Sequence, residues 1–392
     1  MSKTRSTAFF INGGAGRVIA SIPALELFRK ENPDDDFIIV CEGGTEFYKG
    51  HLDLDKRAYD VWHKNLFQEK IKDRNCISPE PYRIWDYYNQ KASLAQAFDI
   101  QINNLSEPRE LPKPTLKLSR EEVLNGEITL NEVKQITGKD KVIVIQPFGR
   151  GISYRDGVFN DSTSRSIEYE DLVSIIKKLH DKDHAVMIMA EMQIDFSTHD
   201  IKVPIPTPTG ITLRQWAGLI RGCDYFIGCD SVGQHIADSV GTAATVITGS
   251  TDPINISHPE NKKFTIIDMG STDREYAPIR ITPDEMCDRL NDGLMKMETS
   301  DIDKVIKSVQ LGLKNYGKES AIKVKAKLKD EGQQPQGEVC PVHGVVHDHG
   351  HVHQMQTPMP ATPQGGTMPG GTAMSSQFGV VPPYMQQKET KE

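Results

Sequence analysis

The chain has no apolar run approaching the roughly 20 residues that a membrane-spanning helix needs. It also lacks a surplus of positive charge. With 46 Lys and Arg against 54 Asp and Glu, the formal net charge is −8, which excludes a general basic field for nucleic acid. Cysteine is sparse: the six are scattered, and Cys41, Cys223 and Cys229 stand beside expected strands. Buried free thiols rather than a disulfide framework are expected. The amino terminus, Met1 to Thr7, leads straight into strand-like sequence, without the apolar core and cleavage site of a signal peptide. These absences point to a cytoplasmic protein with no transmembrane segment.

What is present fits a soluble protein with a polar appendage: 37% of the 392 residues are hydrophobic and 26% charged. That length suits two domains plus extras. Ala8 to Ile11 reads as a strand, followed by Asn12-Gly13-Gly14-Ala15-Gly16-Arg17 and a helix with Val18, Ile19, Ile22, Leu25 and Phe28 at helical spacing. Phe37 to Cys41 is the next strand. Residues 51–111 are rich in aromatic and charged residues and read as short helices mixed with loops. Prolines at 108, 112 and 114 mark a break before a junction near residues 110–140. A second unit opens at Val142 to Pro147. It runs through a polar loop to Ser166, a helix from Tyr169 to His180, a strand from Ala185 to Met189, and a helix capped by Thr212. Alternating strands and helices predict an α/β fold with parallel sheets covered on both faces. Two such sheets in tandem leave a cleft between them.

The richest stretch is Cys223 to Gly241. An apolar strand, Tyr225 to Ile227, meets a polar turn, Asp230 to Gly233, and a helix opens with His235 in its first turn. Unpaired N–H groups and the helix dipole face outward there, the usual seat of a phosphorylated ligand in an open α/β sheet. A further strand, Ala244 to Thr248, ends in Gly249-Ser250-Thr251-Asp252-Pro253, a turn able to close on the same crevice.

These motifs resemble the GT-B glycosyltransferases of family nine, the heptosyltransferase-like enzymes. Gly13 to Leu25 resembles the family's glycine turn and following helix, and Val142 to Gly149 the strand that opens the donor domain. Asp230-Ser231-Val232-Gly233-Gln234-His235 is similar to the Asp-Ser/Thr-Gly-x-x-His signature, and Gly249 to Pro253 to a Gly-x-Thr-x-Pro turn. The resemblance implies two Rossmann-like domains facing across a cleft: an acceptor domain over 1–135 and a nucleotide-sugar domain over 140–298. A helix over 301–330 and a disordered tail over 331–392 complete the organisation. It implies donor contacts from Gly149, Arg150, Arg165, Glu191, Asp230, Ser231, Gly233 and His235, with Glu191 accepting ribose hydroxyls. Gly14, Gly16 and Arg17 would face the acceptor. Arg150 and Arg165 would also stabilise the departing diphosphate, so an inverting, metal-independent transfer with no cofactor is expected. The acceptor would be a lipopolysaccharide or other surface glycan, free or lipid-linked, met at the inner face of a membrane.

The chain departs from that pattern at three positions. Arg17 stands where the family has an acidic residue, read as the base, and a guanidinium cannot take a proton. Glu42, Glu46 and Asp60 are the alternative carboxylates. Val232 precedes Gly233 where the family's glycine follows Ser/Thr directly, and Ile167 replaces a tryptophan. A non-catalytic nucleotide- or glycan-binding protein is therefore a second reading. A dinucleotide-dependent enzyme is a third, since Gly14-Ala15-Gly16 and Glu42 form half of a Rossmann fingerprint, with Ile19 at its third glycine.

The segment from Asp301 to about Lys329 reads as a helix with Val305, Val309 and Leu313 on one face, either packing back across the amino-terminal half or leaving as a polar exit. From Glu331 onward glycine, proline, glutamine and methionine dominate, and too little apolar surface is available to offset the entropy of ordering. Cys340, His343, His347, His349, His351 and His353 give this tail an opportunistic affinity for Zn²⁺, Ni²⁺ or Cu²⁺. Their spacing does not match a closed zinc site, and no metal is expected in the core.

Overall fold

The computed structural model describes residues 6–149, 151–155, 158–161, 163–274, 280–282, 285–286 and 293–317. The first half contains β1 (Thr7–Ile11), α1 (Ala15–Glu31), β2 (Ile38–Cys41), β3 (Ala58–Asp60) and β4 (Asn75–Ile77). The strands form one parallel sheet in the order β3-β2-β1-β4. Unbroken apolar runs in β1 and β2 suit a sheet covered on both faces. Val18 to Leu25 of α1 are all buried, because the helix lies between its own sheet side and the second half of the molecule. Two further helices follow, α2 (Trp85–Tyr88) and α3 (Leu94–Ile102), the latter opened by a Ser93–Gln96 capping box.

The expected junction is a helix. In α4 (Arg120–Thr137), Ser119 and Glu122 close a capping box at the start and Gly138 ends the helix with φ +67°.

The second half runs β5 (Lys141–Gln146), β6 (Ile152–Arg155), β7 (Val158–Asp161), α5 (Tyr169–Asp181), β8 (His184–Ile188), α6 (Leu213–Gly222), β9 (Tyr225–Cys229), α7 (Val232–Val240), β10 (Ala244–Thr248), α8 (Pro253–Ile256), β11 (Phe264–Asp268) and α9 (Thr299–Tyr316). Its sheet is parallel in the order β11-β10-β9-β5-β8. The polar loop expected over 148–166 contains the β6–β7 hairpin, held by stacking of Phe159 between Phe148 and Tyr169 at 5.0 and 5.2 Å. The described part of α9 packs on α5 and the second sheet, where Ser308 bonds Thr245 at 2.5 Å. The expected extension past residue 317, the tail and its His/Cys cluster lie outside the described residues.

The halves are joined by shared packing. One apolar cluster includes Phe9, Ile19 and Leu25 from the first half and Trp216, Phe226 and Ile236 from the second. Helices α4 and α6 touch backbone to backbone: a Cβ on Gly126 would lie 2.5 Å from the Gly218 carbonyl. Arg214 of α6 pins the same seam, donating to Glu122 and to the carbonyls of Glu46 and Lys117.

Candidate active site at two facing switch points

In each sheet the strand order reverses once, and in open α/β sheets ligands bind beyond the carboxyl ends of the two strands at such a point. In the second sheet those strands are β5 and β9, which end at Gln146 and Cys229. In the first they are β1 and β4, leading into Gly13 and Pro79-Glu80.

The second switch point is built around the start of α7. Its N-cap, Ser231, makes no side-chain cap bond. Gln146 from β5 serves instead: its Oε1 accepts from Gly233 N–H at 2.7 Å and its Nε2 donates to Ser231 Oγ at 3.1 Å. A Cβ on residue 233 would sit 2.3 Å from that Oε1, which explains why the glycine is needed after Val232. Asp230 is 2% exposed and, among the described residues, its Oδ2 has no partner; both amide atoms of fully buried Gln234 are likewise unpaired. Buried polar atoms without partners are rare and costly, and at a helix amino terminus they suit a polar ligand.

The loop above is held by Asp161. Burial would raise its carboxyl, but hydrogen bonds from Ser166 and Thr163, with Arg165 nearby, hold it below the ordinary carboxylate range. Ser166 Oγ in turn accepts from Gly149 N–H at 2.9 Å. A Cβ on Gly149 would touch Asp230 O at 3.7 Å and Arg165 Cβ at 3.9 Å, and Ser250 donates to Thr163 O at 2.8 Å. Gly149, Arg165, Asp230, Ser231, Gly233 and the Gly249 turn therefore converge. Glu191 lies exposed just beyond the carboxyl end of β8. Arg150 lies outside the described residues.

The first switch point is closed by its own charges. Gly13 has φ +97°, which favours glycine, and its N–H donates to Glu42 at 2.9 Å. Arg17, expected to face an acceptor, is 4% exposed and donates to Glu80 at 3.0 Å and to Pro79 O at 3.3 Å. Its guanidinium lies over Tyr82 and Phe98 at 4.9 and 5.3 Å. An acceptor anion would have to displace Glu80. Gly14 has nothing within 4 Å of its Cβ direction. Of the alternative carboxylates, Glu42 touches the glycine turn, whereas Asp60 accepts from Trp62 N–H.

The two points meet at Gly16 and His235. A Cβ on Gly16 would lie 2.9 Å from His235 Cδ2, so α1 and α7 approach as closely as a glycine permits. His235 is buried, and burial followed by neighbouring His258 lowers its imidazole to about 3, so the ring is neutral. Sequence reading missed Gln146, Gln234, Glu80 and His258; Gln146 carried a local signal as the polar end of an apolar strand, and Gln234 as a member of the Asp230–His235 motif. A recess of about 490 Å³ beside β11, lined by Thr265, Asp268 and Lys304 among others, contains none of the motif residues. Among the described residues, no group of three or more His, Cys, Asp or Glu is placed to hold a metal ion, and no helix is long and apolar enough to cross a membrane.

No protein-family model matches the chain, and no curated protein matches it. Solved structures do. A glycosyl transferase family 9 protein from Veillonella parvula DSM 2008 aligns with a TM-score of 0.55 at 14% identity, over 79% of this chain and 98% of that one. The ADP-heptose lps heptosyltransferase II of E. coli aligns at 0.54 and 11% identity, over 78% and 98%. The iron-containing dodecameric glycosyltransferase TibC from enterotoxigenic E. coli H10407 aligns at 0.51 and 12%, over 80% and 78%. The chain has the two-sheet GT-B fold of these proteins.

Proposed function

We propose that the chain is a distant family-nine glycosyltransferase that binds a nucleotide-diphosphate sugar at the β5/β9 switch point and transfers the sugar to an acceptor hydroxyl at the β1/β4 switch point. The observation that carries this reading is the start of α7, uncapped by Ser231 and bordered by the unpartnered Asp230 carboxylate oxygen. Backbone N–H groups and the positive helix end attract the diphosphate. Asp230 Oδ2 accepts a donor hydroxyl. Arg165 stands at the loop where leaving-group charge develops, and transfer needs no metal there. The acceptor attacks the anomeric carbon from the opposite face, with inversion. Its class follows the GT-B relatives: a surface glycan such as lipopolysaccharide.

Arg17 cannot be the base, and Glu80 is buried and held as the counter-ion of Arg17. Glu42 is exposed and accepts one backbone N–H at the glycine turn, so we assign it the acceptor proton. The test is transfer from a panel of nucleotide sugars, read by mass spectrometry with cell-envelope extract as acceptor. Glu42→Gln is expected to lower kcat by about 10²–10⁴-fold and to leave nucleotide affinity unchanged. Nucleotide binding with no transfer by the parent protein would favour a binding module instead, a reading that the closed Arg17–Glu80 pair also supports.

A further inference from the structure

His258 belongs to none of the sequence motifs, yet it touches the residue at which the two halves meet. Its ring stands edge-on to that of His235, centroids 5.2 Å apart at 83°, with Nε2 3.1 Å from His235 Nδ1. On its other side Nδ1 faces two carboxylates, Asp238 at 3.5 Å and Glu260 at 3.7 Å. Asp238 is 2% exposed and takes Asn261 Nδ2 at 2.7 Å and Lys113 Nζ at 2.8 Å on its other oxygen. The remaining neighbour is the Phe264 ring of β11, edge-on at 5.7 Å. The titratable and charged groups around His258 are therefore His235 and Asp238 from α7, Glu260 from its own loop, and Lys113 from the segment before α4.

Two carboxylates in front of Nδ1 require a proton there, since a lone pair would face two anions. The state of the ring then rests on Nε2. A neutral His258 has a bare Nε2, so His235 donates from Nδ1 and presents a bare Nε2 of its own. A charged His258 donates from Nε2, so His235 accepts at Nδ1 and carries its proton on Nε2. In both states His235 is neutral; only its tautomer changes. His235 Nε2 has no hydrogen-bond partner among the described residues and is not among the buried unpaired atoms.

Resting on the reading that a diphosphate binds at the start of α7, we propose that His258 is a positioning residue whose protonation converts His235 Nε2 into an N–H donor for a phosphate oxygen. One proton comes from solvent to His235 Nε2. The Nδ1 proton of His235 passes to His258 Nε2 across the 3.1 Å contact. The net positive charge rests on His258, between Asp238 and Glu260. Binding of a diphosphate is thereby linked to uptake of a proton.

The test titrates ADP into the full chain near pH 8, in buffers of different ionisation enthalpy, with His258→Gln in parallel. The glutamine amide keeps polar contacts and cannot titrate. The parent is expected to take up a proton on binding; H258Q is expected to take up none and to bind about tenfold more weakly. Equal uptake in both proteins, or none in the parent, overturns the proposal. Thermal melting checks that H258Q is folded. Long-range ¹H–¹⁵N NMR of the ligand-free chain gives an independent reading. His235 should change from the Nδ1–H to the Nε2–H tautomer on acidification, in the parent and not in H258Q. A parent that makes this change and binds no nucleoside diphosphate would sink the function while supporting the relay. A parent in which His235 keeps one tautomer would sink the relay alone.

Discussion

The β1/β4 and β5/β9 switch points lie against each other across Gly16 and His235, and they dispose of charge in opposite ways. At β1/β4 the cation Arg17 and the anion Glu80 are both buried and neutralise each other through one contact, while Glu80 Oε2 and Arg17 Nε have no further partner among the described residues. At β5/β9 the anion Asp230 is equally buried, yet among the described residues it has no ion pair and its Oδ2 is unpaired, and Ser231 at the start of the helix beside it makes no cap bond. The first arrangement balances its own charge within the folded chain. The second costs stability and makes sense where a ligand completes it. Substitution should therefore hurt folding at one point and ligand binding at the other.

The largest effect is expected at the closed point. Arg17→Ala leaves Glu80 buried with no countercharge, and removing one partner of such a pair costs about 3–5 kcal/mol. Denaturant unfolding should show that loss for Arg17→Ala and for Glu80→Ala alike. The exchanged pair, Arg17→Glu with Glu80→Arg, should recover much of it. Full stability in either single variant would mean that the pair is not what closes this point.

A smaller effect sharpens the comparison by testing the seam between the halves. Hydrogen bonds from Arg214 outweigh burial and hold the Glu122 carboxyl down to about 2, against an ordinary 4.5. The group is thus ionised in the folded chain where an unfolded chain would bind a proton. Its contribution, roughly 3 kcal/mol as an upper bound for a partly exposed group, is present above pH 4.5 and is lost as pH falls toward 2. Stability measured against pH should fall in that window for the parent and fall less for Glu122→Gln.

How much of this was legible in the sequence depended on how local each signal was. The turn from Asp230 to His235 is six consecutive residues after an apolar strand, and both its place and the helix behind it were readable. So was α1, since Gly13 to Arg17 and the apolar spacing after it are contiguous. The partnerships that give the site its character are not local. Arg17 and Glu80 are 63 residues apart, Gln146 and Gly233 87, and His235 and His258 23. Strands β3 and β4 are three residues each, too short to show a period, and exist because β2 and β1 offer them an edge. Helix α4 was hidden for another reason. The prolines before it drew attention to a break, although Ser119 and Glu122 spell a capping box.

The most direct test of the account is isothermal titration of ADP, UDP, GDP and CDP against the parent chain and Asp230→Asn, with thermal melting of both. At least one nucleotide should bind the parent. Asp230→Asn should weaken that binding by about tenfold or more, as expected for losing a hydrogen bond to a charged group, while the substitution leaves the free protein as stable or raises its stability by about 0.5–2 kcal/mol. A parent that binds none of the four, or an Asp230→Asn chain that loses stability and keeps its affinity, would contradict the account.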